Sequence, residues 1–169
     1  MSELTDLGNA QRFAKIAKDY LRFCPQLGWI IYEGKVWSID QRLKVQDTAK
    51  AVIDELKGEY TKFPTDDPHY KEYRTFYLKS QSAGRIAAMI ELAKPMLIVE
   101  INEFDKDNLL LNMQNGTLDL RTMVLKPYDK GDYITRVCSV AYNPEAKAPR
   151  WDKFLTEILP PDVARFLQT

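Results

Sequence analysis

The hydrophobic period of the chain changes at Pro95, and this limits the possible folds more than any single motif does. Before Pro95, apolar residues recur every three or four positions; after it they fall in short, partly alternating runs broken by Asn-Gly, Pro and Gly. The first pattern belongs to amphipathic helices and the second to successive antiparallel strands. An α+β fold follows: a helical front over 1–95 that contains a small β-hairpin, antiparallel hairpins in a strand-rich back over 96–145, and C-terminal helices over 148–169. With no internal repeat and no low-complexity linker, the 169 residues read as a single domain.

Within the front, "LGNAQRFAKIAKDYLRFC" predicts a helix capped by Asn9 and ended by Pro25, with Phe13, Ile16, Ala17, Tyr20 and Leu21 on its apolar stripe. Arg12, Lys15, Lys18 and Arg22 lie away from that stripe, as a solvated outer face or as phosphate contacts. "LGWIIYEGKVWSID" predicts a β-hairpin turning near Glu33 and Gly34. Its Trp29, Tyr32 and Trp37 suit a core, and alternatively a stacking platform for bases. The stretch 43–63 is strongly helical, with Val45, Ala49, Val52, Ile53, Leu56 and Tyr60 on one face. After Pro64, Asp66 or Asp67 caps another helix, and Ser80 or Ser82 starts a third that carries Ile86, Met89, Ile90 and Ala93.

In the back, "LLLNMQ", "GTLDLRT", "VLKPYD" and "YITRVCSVAY" read as strands. Asn115-Gly116 predicts a type I′ turn with both residues at positive φ, and puts Leu109, Leu111, Met113, Leu118 and Leu120 on an apolar side. Trp151, Phe154, Leu155 and Ile158 then recur at helical spacing, and Pro161 and Asp162 open a further helix that runs to Thr169.

Composition excludes several function classes. Twenty-four basic and twenty-four acidic side chains cancel, so any nucleic-acid contact must come from a local patch. Cys24 and Cys138 are the only cysteines and no signal-peptide pattern opens the chain, which predicts a reduced, cytoplasmic protein. No apolar run approaches the roughly 20 residues that span a bilayer. A P-loop is absent, since Gly34-Lys35 is followed by Val36 and lacks the earlier glycine. One histidine and two distant cysteines do not make an ordinary zinc site, and His69 reads as a surface residue at a helix start. Glu103, Asp105 and Asp107 in "EFDKDN" are the one acidic constellation with enough carboxylates to hold magnesium, but Lys106 and Asn108 point to a solvated loop.

Several segments together carry a family resemblance. "LLNMQNGTLDLRT" with "LKPYD", then "ITRVCSVAYNPEAKAPRWDKFLTEI", resembles the region just before the helicase core of phage- and plasmid-type primase-helicases, the family shared with the poxvirus primase-helicase. "TDLGNAQRF", "GWIIYEGKVW" and "SAGRIAAMIELAK" are similar to the opening, hairpin and helix of the same region, in the same order. The resemblance runs from about Leu4 to Gln168, and "RFLQT" is similar to the start of the segment leading into the ATPase. It implies a noncatalytic module of a replicative enzyme whose superfamily 3 motor, with its ATP and magnesium, lies downstream. The implied partners are that motor, DNA, single-stranded or forked, and further copies in a ring.

On this reading Arg12, Lys15, Arg22, Lys35 and Arg85 are the expected DNA contacts, and the site has no catalytic residue or metal. The competing reading is an assembly domain that touches no DNA and docks through an apolar surface over 151–169. An autonomous enzyme is the weakest reading, because no nucleophile and base can be paired from these residues. Two positions depart from the family pattern. Met123 stands where a glycine usually serves a tight turn, so either the turn differs or Met123 is strained. Tyr128 stands where histidine is common.

Overall fold

The computed structural model describes residues 3–166; Met1, Ser2 and 167–169, with the expected continuation of the last helix to Thr169, lie outside the described residues. The fold is mixed α+β, as the change of period predicts. Helices α1 (Asp6–Ala17), α2 (Lys44–Tyr60), α3 (Pro68–Ser80) and α4 (Ala83–Ala93) form the front. Strands β1 (Leu21–Cys24), β2 (Gly28–Tyr32) and β3 (Trp37–Ile39) make one antiparallel sheet in that order. Strands β4 (Leu110–Met113), β5 (Gly116–Asp119) and β6 (Val124–Lys126) make a second, and α5 (Pro149–Ile158) and the short α6 (Pro161–Phe166) follow. No helix among the described residues is long and apolar enough to cross a membrane.

The first helix differs from its expectation at both ends. Its N-cap is Thr5, whose hydroxyl accepts from Gly8 N–H at 3.0 Å, while Asn9 lies inside the helix and is 1% exposed. Its helical stripe continues through Leu21, yet the helix stops at Ala17 and Leu21–Cys24 is a strand. Pairing on both edges overrides the local periodicity: β1 lies against β2 with Leu21 opposite Ile31, and on its other side Phe23 N–H donates to Leu97 O and Val99 N–H to Phe23 O. Backbone groups buried in that position need partners, and only the extended form meets both neighbours.

The main core gathers Ala10, Phe13, Ala17, Leu21, Val45, Ala49, Val52, Met89 and Ala93 from α1, β1, α2 and α4. The expected apolar face of α2 is buried from Val45 through Leu56. Asp67 and Ser82 are the caps of α3 and α4, accepting from His69 N–H and Arg85 N–H. The His69 N–H bond, with the ring bond beside it, holds the Asp67 carboxyl below the usual carboxylate range. Ser80 is instead the buried last residue of α3.

Arg12 binds the helical front together from inside. Its guanidinium, 4% exposed, donates to Glu59 Oε2 of α2 at 3.1 Å, Glu3 O at 3.1 Å and Asn9 Oδ1 at 3.4 Å. Asn9 Nδ2 in turn donates to Ser80 Oγ at 3.1 Å, so one polar network reaches α1, α2 and α3.

The second sheet departs from its expected turn. Met113 pairs with Gly116, so Gln114-Asn115 forms the loop, and neither residue has positive φ. Gly116 is needed for another reason: at φ +149°, a Cβ there would lie 2.5 Å from Lys126 O of the neighbouring strand. The expected leucine side is only partly buried, and the other side is buried as well. Asn112 and Thr117 are 2% and 0% exposed, while Leu109, Leu111 and Leu120 face solvent; Met113 and Leu118 are buried as expected. Thr117 Oγ1 donates to Asn112 Oδ1 at 2.6 Å and Asn112 Nδ2 to Lys35 O at 2.7 Å, which docks this sheet on the turn of the first one.

The segment "YITRVCSVAY" forms no strand of either sheet. It runs past both in single bonds: Trp37 N–H donates to Ile134 O, Cys138 N–H to Asn112 O and Gln114 N–H to Val140 O. Asn115 completes the contact, donating from Nδ2 to Tyr142 O and accepting at Oδ1 from Tyr142 N–H, both at 2.9 Å. Turn side chains thus occupy the places a strand partner would fill. Tyr128 also has a clear role, its hydroxyl donating to Met113 O at 2.6 Å.

Met123 keeps the tight turn and takes the strain, at φ 56°. The left-handed conformation costs an L-residue about 1–2 kcal/mol, partly offset in a glycine variant by about 0.5–1 kcal/mol of unfolded-state entropy. Met123→Gly is therefore expected to stabilise the protein by about 0.5–1 kcal/mol in urea unfolding. Gly116→Ala is expected to destabilise it by about 2 kcal/mol or more, from positive φ and the contact with Lys126 O. Arg12→Met, which leaves Glu59 and the Asn9 amide without their donor, is expected to cost about 2–4 kcal/mol in the same measurement. A loss under about 0.5 kcal/mol would mean that the network does not hold the helices together.

Candidate nucleic-acid interface

The five cations expected to meet DNA do not form one surface. Arg12 is interior, for the reasons above, and its burial rules it out as a surface phosphate contact. Arg22 is drawn into the fold as well. Its Nε donates to Tyr133 Oη at 3.2 Å, its Nη1 donates to Lys18 O and Leu21 O, and its guanidinium lies 5.5 Å from the Trp37 ring centre. Sequence spacing put both on an outer face, but α1 is covered on more than one side and Arg22 stands on a strand. Arg85, at the start of α4, lies 3.9 Å from Asp6 Oδ1 and over the Phe76 ring. Lys35 is exposed at the β2–β3 turn, where its ammonium reaches Gln114 O and Oε1 at 3.3 Å. Lys15 is exposed on α1 and joins no ion pair among the described residues.

The aromatic residues of the first hairpin serve mainly as core. Trp37 is 1% exposed, donates from Nε1 to Lys130 O at 2.8 Å and stacks on Tyr133 at 5.4 Å. Trp29 packs edge-on against Phe13 and Phe23, and Tyr32 tilts against Trp37. Bases have little open ring face here.

The carboxylates of 103–107 point to separate partners. Glu103 pairs with Lys106, and Asp105 accepts from Thr135 through both N–H and Oγ1. Asp107 takes Arg121 at 2.7 Å, and this hydrogen bond, with the Leu109 N–H, holds its carboxyl below the usual range. Among the described residues no group of three His, Cys, Asp or Glu side chains is placed to hold a metal ion. Asp105, at φ 50°, instead lines an apolar cleft of about 440 Å³ with Trp37, Phe104 and Thr135.

One feature was not singled out from the sequence. Along the end of α2 and the length of α3, Tyr60 lies 5.6 Å from Tyr70 and 5.3 Å from Tyr77, and Phe63 lies 5.5 Å from His69 and 5.3 Å from Tyr73. The five Tyr and Phe rings are half-buried and His69 is exposed, so the group lies at the surface. Aromatic residues at every third or fourth place in 60–77 were the available signal. On α5, Leu155 is 2% exposed, whereas Trp151, Phe154 and Ile158 are 55%, 48% and 56% exposed. That helix shows solvent an apolar face, in keeping with the surface expected for 151–169.

Comparison with known proteins gives one family. The family model described as D5 N terminal like matches residues 10–160, most of the chain. No curated protein sequence matches it. The matching domain is found in phage and viral primase-helicase proteins, which agrees with the resemblance of the hairpin and flanking segments. With a helical front, two three-stranded sheets and a C-terminal helix all within or bordering that match, the chain belongs to the D5 N terminal like family.

Proposed function

We propose that this domain is a noncatalytic module of a phage- or plasmid-type replicative DNA primase-helicase, working beside a superfamily 3 motor in ring assembly and DNA engagement. ATP and magnesium chemistry belongs to that motor. The observation that carries the assembly role is the apolar face of α5, where Trp151 and Phe154 stack on each other at 5.8 Å and remain about half exposed. Apolar rings in such a position gain most from a protein partner.

A second reading, assembly without DNA contact, is favoured by the burial of Arg12 and by the protein hydrogen bonds of the half-buried Arg22. Lys15, Lys35 and the partly exposed Arg85 are the nominated cations left for phosphate. Sedimentation velocity across a wide concentration range is expected to show self-association that Trp151→Glu with Phe154→Glu abolishes, with helix content unchanged. A monomer at every concentration would count against the assembly role. Anisotropy with forked DNA separates the two readings. If Lys15 and Lys35 meet phosphates, each Glu variant lowers the salt slope by about one. Variants that bind as the parent does would leave assembly alone.

A further inference from the structure

We propose that the apolar cleft beside Trp37 receives α5 of a second copy of this chain, so that copies join head to tail. This rests on the assembly role proposed above and supplies the surface that meets the α5 face.

The cleft opens between β3 and the short 3-10 turn Ile101–Glu103 and holds about 440 Å³. A cavity of about 150 Å³ accepts one benzene ring, so an indole with a phenyl beside it fits here. Leu27, Ile39 and Ile101 line it while 40%, 50% and 45% exposed, and the buried Ile30 and Trp37 lie at its depth. On α5 the shape is the converse: Trp151 and Phe154 stack on each other and project to solvent with Ile158 one turn on. Neither surface is covered within the chain. Two α5 faces packed on each other would close the assembly at a dimer and leave the cleft open, whereas two different surfaces make a heterologous contact that can repeat.

Charge fits the same pairing. Glu100 and Asp105 are exposed at the cleft and join no ion pair among the described residues, and Asp105 is held in place by its two hydrogen bonds from Thr135. The cations nearby are engaged or turned elsewhere: Lys106 pairs with Glu103, Arg42 pairs with Glu33, and Arg136 lines a separate recess that Asp105 also borders. On α5, Arg150 directly precedes Trp151, is exposed and joins no ion pair among the described residues. Glu157 pairs with Lys153, and Asp152 lies round the helix from the exposed apolar face. A ring beside a guanidinium therefore meets an apolar cleft beside a carboxylate. The same carboxylates disfavour the phosphates of a nucleic acid as the occupant.

The test follows self-association of the full chain by sedimentation velocity. Ile39→Lys with Ile101→Lys, at two exposed positions, is expected to weaken association about tenfold or more, as Trp151→Glu with Phe154→Glu does. Mixing these two variants is expected to restore a pair with one copy of each that grows no further, because one copy keeps a working cleft and the other a working α5. Asp105→Asn, which can still bond Thr135, and Arg150→Gln are each expected to weaken association about threefold, and the double variant no more than either alone. Circular dichroism and urea unfolding check that every variant folds. Cleft variants that associate as the parent does, or a mixture that stays monomeric, would overturn the cleft contact and leave the α5 assembly role standing. A parent chain that is monomeric at every concentration would overturn both.

Discussion

A charge that water does not reach organises the helical half. The Arg12 guanidinium has little solvent, so its donors must find protein oxygens, and those it finds come from the N-terminal segment, α1 and α2. The Asn9 bond to Ser80 extends the same requirement to α3. Apolar packing alone lets helices slide by a residue with modest loss, whereas a buried charge loses several hydrogen bonds at once. Hydrophobic contacts such as Phe13 with Val52 and Met89 therefore settle into one arrangement.

The strand-rich half is held by the same principle with neutral groups. Asn112, Gln114 and Asn115 use side-chain amides to join the second sheet to the first sheet's turn and to the segment 138–142. An amide offers a donor and an acceptor, as a peptide group does, so one side chain can stand in for a strand neighbour. Two small three-stranded sheets are thus joined to each other. The strain at Met123, Asp105 and Tyr133 lies in the connections around these joints. Such local cost is tolerated when surrounding bonds over-determine the backbone.

Function in this chain depends on what is left over after those needs are met. Arg12 and Arg22 are consumed by structure, as are the carboxylates at 103–107, which removes many of the groups that sequence inspection put forward. What stays at the surface is a half-buried aromatic cluster between α2 and α3, among charges of both signs, and an apolar face on α5. The α5 face was readable, because four apolar residues at helical spacing need only the period to be placed. The aromatic cluster was not, since its six rings come from the end of α2, the connection at Phe63 and α3, and meet only when α3 packs back on α2.

The sequence by itself determined the class of the fold, the long α2, a cap at Asp66 or Asp67 and another at Ser80 or Ser82, the hairpin after Pro25 and the membership in the D5 N terminal like family. These rest on local period, capping chemistry and turn residues, all written within a few positions of one another. Only the tertiary structure decided that the first helix yields to a strand at Leu21, that Asn115-Gly116 is not the turn it resembles, and that the second sheet buries the polar pair Asn112 and Thr117 along with Met113 and Leu118. Each of these turns on a partner far away in the chain: Leu97 and Val99 for the strand, Lys126 for the glycine, Lys35 for Asn112. Long-range hydrogen bonds outweigh local propensities of a fraction of a kcal/mol, roughly, because an unpaired buried polar group costs about 1–3 kcal/mol.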